Sequence, residues 1–461
     1  MTLQPTDYPQ GRVAWILAAV FLAYFTSNYF ISTSMVAMPH IAAELDGMPL
    51  FSWAIAIPAL LSALTTLIFA KLSDLFGRRL ILLVSLAAIL VGAVLSALCH
   101  SFVFLIFGLS VIGLGQGAVQ PLCFTVLGDM FEPARRNRWA GLLNLSSGAA
   151  ALFGPSLAGW LVDQLTWRLL FWLLVPLALL SAAAILFSLP RGDRTRSHPL
   201  DLGGASLLAV ATSTLIVGLC LGGGSLPWLS FPVLGLIGTS LLFWLLFLRS
   251  EAGQPEPILD PHLAGSRVFL TAALAALLSF FGLTAISTYF PLFLQGVQGA
   301  SATLSGQVIT PYSFLISFMG VPTGLALARL RRYKWMYIAG YGVLAAALFG
   351  LYGFTARTAS GWGFFVSTVA GLGLGTIPTI NTLIVQSAFS KRLLGAATGG
   401  IFFFVAMGRA IAPAILGSVL QAARLETSLK SIFLIGAVTM LLSFLLIVTI
   451  PEISLQSANP D

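Results

Sequence analysis

The sequence predicts an all-α polytopic membrane protein of 14 transmembrane helices in a 6+2+6 plan: two pseudo-symmetric six-helix bundles with two extra helices between them. Three observations predict it. First, 58% of the 461 residues are hydrophobic and only 8% are charged, a balance that no soluble domain tolerates. Apolar runs of about 20 residues, enough to cross a bilayer as a helix, recur along the whole chain. In lipid the backbone must satisfy its own hydrogen bonds, so these runs are read as helices. Second, the chain repeats itself. Pro58–Arg79 aligns without a gap on Pro311–Arg332, and Pro39, Pro121 and Gly141 meet Pro291, Pro378 and Gly395 at nearly the same step. Chance in a chain rich in proline and basic loops is the bland alternative, and the shared step argues against it. One half is read as repeated in the same membrane orientation. Third, the basic residues fall mainly on one side.

The spans lie near 14–36, 50–70, 80–99, 103–125, 139–161, 168–189, 203–221, 228–248, 268–292, 303–327, 335–354, 361–385, 394–420 and 430–450. With both termini placed inside, the inner loops hold Arg12, Lys71, Arg78, Arg79, Arg135, Arg136, Arg138, Arg191, Arg194, Arg196, Arg249, Arg267, Arg329, Arg331, Arg332, Lys334, Lys391 and Arg392. The outer loops hold only Arg168, Arg357, Arg424 and Lys430. This asymmetry is what the positive-inside rule asks of an even span count with both termini in the cytoplasm of a cell-membrane protein. It also accounts for the net charge of +8 without a nucleic-acid partner. The expected domains are an N-terminal bundle, 1–190, a two-helix insertion, 191–266, and a C-terminal bundle, 267–461. The first apolar run reads as an uncleaved span. The tail after Pro451 is short, polar and expected to be disordered.

No Gly-rich phosphate loop, catalytic triad or metal cluster is seen. Cys99, Cys123 and Cys220 lie within or at the ends of apolar runs, with no metal spacing and no disulfide framework. Neither an enzyme nor a cofactor is expected.

The loop Ala70–Arg79, AKLSDLFGRR, joins spans two and three with no residues to spare. Gly77 permits the tight turn. Asp74 and Arg78 are four apart and can pair, or Asp74 can face the positive end of a helix. Such a pair could act as a gating latch; Lys71 and Arg79 read as ordinary solvated cations. In span five Ala150, Gly154 and Ala158 share one face, which allows close helix contact. Pro155 removes a backbone bond and should bend the span, making it a hinge.

Arg409 stands near the middle of span thirteen, in FFFVAMGRAIAPAILG. An Arg at that depth costs roughly 2.5–3.5 kcal/mol on insertion scales. In the repeat Gly408-Arg409 falls on Gly154-Pro155. Its candidate partners are cavity water, carbonyls freed near Pro413, Asn381, Tyr312, or an anionic group of a substrate.

The loop Ala70–Arg79 resembles the G-x-L-x-D-R-x-G-R-R signature of the major facilitator superfamily, with Ala70 for its first Gly and Leu75 for its Arg. Asp74, Gly77 and Arg78 match. Gly148, Gly154-Pro155 and Gly159 are similar to the later part of the antiporter signature of span five. Trp167–Phe171 with Pro176, Leu200–Gly203, Pro257–Asp260, Tyr289–Gln295 with Gly299 and Gly306, and Gln386–Ala388 resemble the fourteen-helix drug:proton antiporter branch. The resemblance runs nearly end to end. Two features depart from it. Where the branch has an acidic residue in span one this chain has Phe30 and Ile31, and where it has an Arg in span four this chain has Leu109. All fifteen acidic residues fall in loops, tails or span ends, so proton-driven transport is expected to be weak or absent.

The superfamily pattern implies that spans 1, 2, 4, 5, 9, 10, 12 and 13 line a central cavity. Their mid-depth polar residues are Asn28, Gln116, Gln120, Asn144, Gln307, Tyr312 and Asn381, and their aromatics are Tyr29, Phe280, Phe281, Phe402, Phe403 and Phe404. A single amide in a span more often bonds a neighbouring helix, and a Phe run more often packs against lipid or core. As a set they describe a mostly apolar pocket with scattered hydrogen-bonding groups. The expected substrate contacts are Asn28, Gln116, Gln120, Gln307, Tyr312, Asn381, Phe403 and Arg409. The expected gating residues are Asp74, Gly77, Arg78, Gly154 and Pro155. The resemblance implies a monomeric exporter of amphiphilic or lipophilic small molecules working by alternating access. Two alternatives stand beside it: a facilitator or importer of an organic anion gripped by Arg409, and a membrane sensor or scaffold that no longer transports.

Overall fold

The computed structural model describes residues 10–131, 133–190, 202–222, 226–251, 263, 265–330, 333–389, 394–420 and 424–450. The polar linkers on either side of the central pair and the tail after Pro451 lie largely outside them. The described chain is a series of helices: α1 (Gln10–Glu44), α2 (Phe51–Phe76), α3 (Arg78–Ala97), α4 (Phe102–Met130), α5 (Pro133–Gln164), α6 (Arg168–Ser188), α7 (Leu202–Leu221), α8 (Phe231–Glu251), α9 (Arg267–Thr284), α10 (Phe290–Gly296), α11 (Ala302–Phe318), α12 (Gly320–Leu330), α13 (Lys334–Tyr352), α14 (Ser360–Ala388), α15 (Leu394–Leu420) and α16 (Leu425–Val448). Thirteen spans among the described residues are long and apolar enough to cross a membrane. Ser206–Leu221 is a shorter apolar helix at the place of the expected seventh span.

The breaks have local causes. Gly77, at φ 90°, is the single residue between α2 and α3, a backbone conformation that a side chain would strain. Ser101 caps α4 by accepting from Phe104 N at 3.3 Å, and Ser266 caps α9 by accepting from Phe269 N at 3.4 Å. Two expected spans are not continuous α-helices. Span nine passes through a π turn, Ala285–Tyr289, just before Pro291, which has no N–H to give to Ser287 O. Span ten is broken at Met319 into α11 and α12, because Pro322 cannot donate to Phe318 O.

The chain forms two compact units. The first comprises Met1–Asp201 with Ser301–Thr310, and the second Leu202–Ala300 with Pro311–Asp461. In the first unit α1 packs on α5 and α6, α3 packs on α4 and α6, and α2 packs on α4. In the second unit α9 packs on α15 and α16, α13 on α14 and α16, and α12 on α14. The pairings correspond member for member. The central helices α7 and α8 pack on each other, where Ser240 donates to Ala211 O at 2.8 Å, and α7 also packs on α15.

Lipid tails are as apolar as leucine, so helices here associate through close packing at small residues. Both units use the same glycine ladder. On α4 Gly113 and Gly117 meet Pro58, Ser62 and Thr65 of α2, while Gly115 meets Ser85 and Ile89 of α3. On α14 Gly371 and Gly375 meet Tyr312, Leu315 and Met319, while Gly373 meets Gly340 and Leu344 of α13. A Cβ on Gly371 would lie 2.9 Å from Tyr312 Cα, and one on Gly373 would lie 2.7 Å from Gly340 O, so each site needs its hydrogen. Elsewhere the second unit is filled by rings. Phe290, Phe293, Phe354 and Phe433 meet at 5.7–6.4 Å between centroids, edge to face. Such pairs contribute about 0.5–1.5 kcal/mol each beyond their area.

Candidate functional site

In the first unit the expected polar residues gather where α1, α4 and α5 meet. The tight approach of α5 to α1 rests on Gly154, where a Cβ would lie 2.7 Å from Ser32 Cβ, with Ala150 and Ala158 buried on the same face. Asn28 bridges these two helices: its Nδ2 donates to Tyr24 O at 2.8 Å, and its Oδ1 accepts from Ser147 Oγ at 3.0 Å. Gln116 of α4 donates to Ser27 O of α1 at 3.0 Å. These two amides make the interhelical bonds that single amides in spans usually make. Gln120 lies one turn further along α4, on the face of Gln116 and beside Pro121. It is half-buried and has no hydrogen-bond partner among the described residues. Tyr29 is buried with its hydroxyl unpartnered among them. The side chain of Asn144 lies outside the described set, and Gln307, on α11, is exposed.

In the second unit the corresponding approach of α15 to α9 rests on Gly408, where a Cβ would lie 2.6 Å from Leu277 O. Arg409 follows it, half-buried in the middle of α15 and engaged by neighbouring groups. Pro413 O accepts from Tyr289 at 3.4 Å. Asn381 and Tyr312 are buried and occupied: Asn381 Oδ1 accepts from Tyr337, and Tyr312 donates to Leu283 O at 3.3 Å. Tyr341, whose ring meets that of Tyr337 at 5.3 Å, donates to Ala275 O at 2.9 Å. Phe403 is buried against Trp244 of α8 at 5.7 Å, and Phe404 packs on Phe269 at 6.4 Å. Phe280 and Phe281 are buried in α9; the side chain of Phe402 lies outside the described set. The structure thus brings Asn28, Gln116 and Gln120 together in one unit. In the other it places Tyr312, Asn381 and Phe403 in packed surroundings.

At the α2–α3 turn Arg78 Nε pairs with Asp129 Oδ2 of α4 at 3.1 Å, and Arg78 also donates to Ser73 Oγ. The side chain of Asp74 is not among those described. By sequence Asp129 is, like Asp163, an acid at a span end with no partner assigned to it. Its signal was available: it is the acidic residue at the end of α4 that shares a face of the membrane with the Arg78 loop. Trp167-Arg168 also acquires a physical role. Arg168 bonds Glu44 of α1 and Cys99 O of the α3–α4 turn, both at 3.2 Å, and lies 4.3 Å over the Trp167 ring. It ties three helix ends together.

A second interaction outside the sequence reading joins the end of α5 to the start of α11. Asp163 Oδ1 accepts from Ala302 N at 3.0 Å, and Oδ2 accepts from Thr303 N at 2.7 Å and Thr303 Oγ1 at 2.5 Å. Below it Ser156 Oγ and Thr310 Oγ1 are 2.9 Å apart.

Among the described residues no group of three or more His, Cys, Asp or Glu could hold a metal ion, and the three cysteines are buried and unpaired.

Residues 20–413 match the family profile of the Major Facilitator Superfamily. The chain is 28% identical over 413 residues to the multidrug transporter protein MdtP of Bacillus subtilis (strain 168), covering 90% of this chain and 76% of that one. It is 31% identical over 382 residues to the uncharacterised MFS-type transporter Rv1877 of Mycobacterium tuberculosis (strain ATCC 25618 / H37Rv), covering 83% of this chain but just over half, 56%, of that longer protein. Its fold superposes on a crystal structure of the peptide transporter POT in complex with sulfate, with a TM-score of 0.71 at 15% identity, covering 94% of this chain and 93% of that one. The family match spans both units, the helix pairings repeat between them, and the chain belongs to the Major Facilitator Superfamily as a multi-pass secondary transporter, not an enzyme.

Proposed function

We propose that the chain exports amphiphilic or lipophilic small molecules by alternating access. It does so as a monomer in the cytoplasmic membrane, with both termini inside and the two repeats, 1–190 and 267–461, flanking the central pair. The likeness to a multidrug transporter over most of both chains favours export. The observation that carries the substrate class is Gln120. An amide at mid-depth in a span, half-buried and without a partner among the described residues, is costly unless a ligand or water meets it. With Gln116 and Asn28 held by α1 carbonyls, Gln120 offers a hydrogen bond to a mostly apolar ligand. A panel of cationic, neutral and anionic amphiphiles, screened by thermal shift on the purified protein, tests this reading. At least one uncharged or cationic amphiphile should raise the unfolding temperature, and Gln120→Leu should abolish that shift while leaving the unliganded protein as stable as the parent. No shift from any such compound, or the same shift in Gln120→Leu, refutes it.

Arg409 favours a second reading. It is the basic residue in the middle of a span, and embedded charges are functional by default. On that reading it grips a carboxylate, phosphate or sulfate of an anionic or zwitterionic substrate. Arg409→Gln should then abolish binding of anionic amphiphiles in the same screen while the protein still purifies as one stable species. Unchanged anion binding excludes it.

A further inference from the structure

The strongest unassigned feature is the seam between the last two turns of α5 and the first half of α11. At its end Asp163 receives the backbone N–H groups of Ala302 and Thr303 together with the Thr303 hydroxyl. Those N–H groups open α11 and have no intrahelical acceptor, and the carboxylate sits at the positive end of the helix. One turn back the backbones touch. A Cβ on Gly159 would collide with Ala302 O, and one on Gly306 would collide with Pro155 O. Beyond that the Ser156 and Thr310 hydroxyls share a hydrogen bond. The seam therefore runs about 12 Å along α11, and it contains close backbone contact and polar bonds. It ends at a change of company. Residues through Thr310 belong to the first unit, and from Pro311 onward α11 belongs to the second. Pro311 has no N–H for Gln307 O, so the helix lacks one ladder bond at that junction.

We propose that Asp163 is the clasp of a gate: it holds Ser301–Thr310 on α5, and its release, with bending at Pro311, opens this end of the transport pathway. The inference rests on the alternating-access reading above. Asp163 touches no substrate in this scheme; it is a positioning residue. The polar make-up of the seam suits such a step. Released N–H and hydroxyl groups can be taken up by water, and glycine faces part without dragging side chains through one another.

The test uses the full chain purified in detergent. Ser156→Cys or Thr310→Cys is labelled with a water-soluble maleimide, with the buried native cysteines as the blank. Labelling should be slow with Asp163 intact. It should rise about tenfold in Asp163→Asn or Asp163→Ala, and fall back toward the parent rate in Asp163→Glu. Thr303→Val removes only the hydroxyl donor and should give a rise of about fivefold; it serves where the Asp163 variants do not fold. The pair Ser156→Cys with Thr310→Cys, once oxidised, should not transport, and reductant should restore transport. Unchanged labelling in Asp163→Ala, or in Thr303→Val where that is the variant available, overturns the clasp, as does full transport by the cross-linked protein. Labelling needs no substrate, so an error in the proposed substrate class leaves that arm standing.

Discussion

Gly408→Ala separates tight helix contact from mere small-residue composition. A Cβ at 408 would lie 2.6 Å from Leu277 O, 2.9 Å from Phe280 Cδ2 and 3.0 Å from Leu277 Cα. Ordinary carbon contacts are about 3.5–4.0 Å, so α15 must retreat from α9 by roughly 1 Å. Two of the three atoms are backbone and cannot rotate aside. Inserting a methyl into such a contact costs about 1–3 kcal/mol, against about 1 kcal/mol that alanine gains over glycine inside a helix. The net loss is at most about 2 kcal/mol. Gly154→Ala meets one close atom, Ser32 Cβ at 2.7 Å, and the next lies at 3.7 Å, so its loss should be smaller. Gly235→Ala on α8 meets nothing within 4 Å and should keep the whole helix gain. Thermal unfolding of the purified variants should therefore rank Gly235→Ala above the parent, the parent above Gly154→Ala, and Gly408→Ala last. At about 2–4 °C per kcal/mol the extremes should differ by no more than about 12 °C. Gly408→Ala unfolding at or above the temperature of Gly235→Ala would refute the close approach of α9 and α15.

Three other outcomes follow from the same structure. Asp129→Asn and Arg78→Gln should each fold normally, since a partly exposed pair contributes about 0–1 kcal/mol, yet slow substrate efflux by unbalancing the two access states; efflux at the parent rate in both variants excludes a gating role for this pair. A cysteine introduced at Arg136 or Lys391 should react only from the cytoplasm and one at Ala300 only from outside, and labelling of Ala300→Cys from the cytoplasm alone would overturn the span order. Efflux from reconstituted vesicles should respond weakly to an imposed pH gradient, because the acidic residues whose side chains are described, Glu44, Asp46, Asp129, Asp163, Glu251 and Glu426, lie in turns or in the end turns of helices; strong proton counter-flow would mean that a terminal carboxylate does the coupling.

The sequence was most legible where one physical constraint acts along the chain. Span length follows from bilayer thickness, and the repeat showed itself through prolines and basic turns, which mark helix bends and loop faces wherever they fall. The helix pairings of the two units then correspond as that repeat requires. Contacts that depend on which face of a helix meets which neighbour were less legible. The ladders G-L-G-Q-G at 113–117 and G-L-G-L-G at 371–375 are written in the chain, but composition alone does not distinguish a contact glycine such as Gly373 from an open one such as Gly235. Arg78 has a sequence neighbour in Asp74 at the right spacing, and its pairing with Asp129, 51 residues away, appears only once α4 lies beside the turn.

Asp163 shows the same limit most clearly. By sequence it is a terminal acid at the end of a span, and a solvated end is its ordinary fate. Its significance comes from α11, which begins 139 residues later and presents unsatisfied N–H groups where the carboxylate ends. Local propensity contains neither partner. The glycines that let the two backbones meet, Gly159 and Gly306, were read from the chain only as parts of family signatures. Their placement in one seam with Asp163 makes the signatures physical: each removes a side chain where the other helix must pass. A gate built in this way needs few residues, and those residues are scattered through the chain by the topology that brings them together.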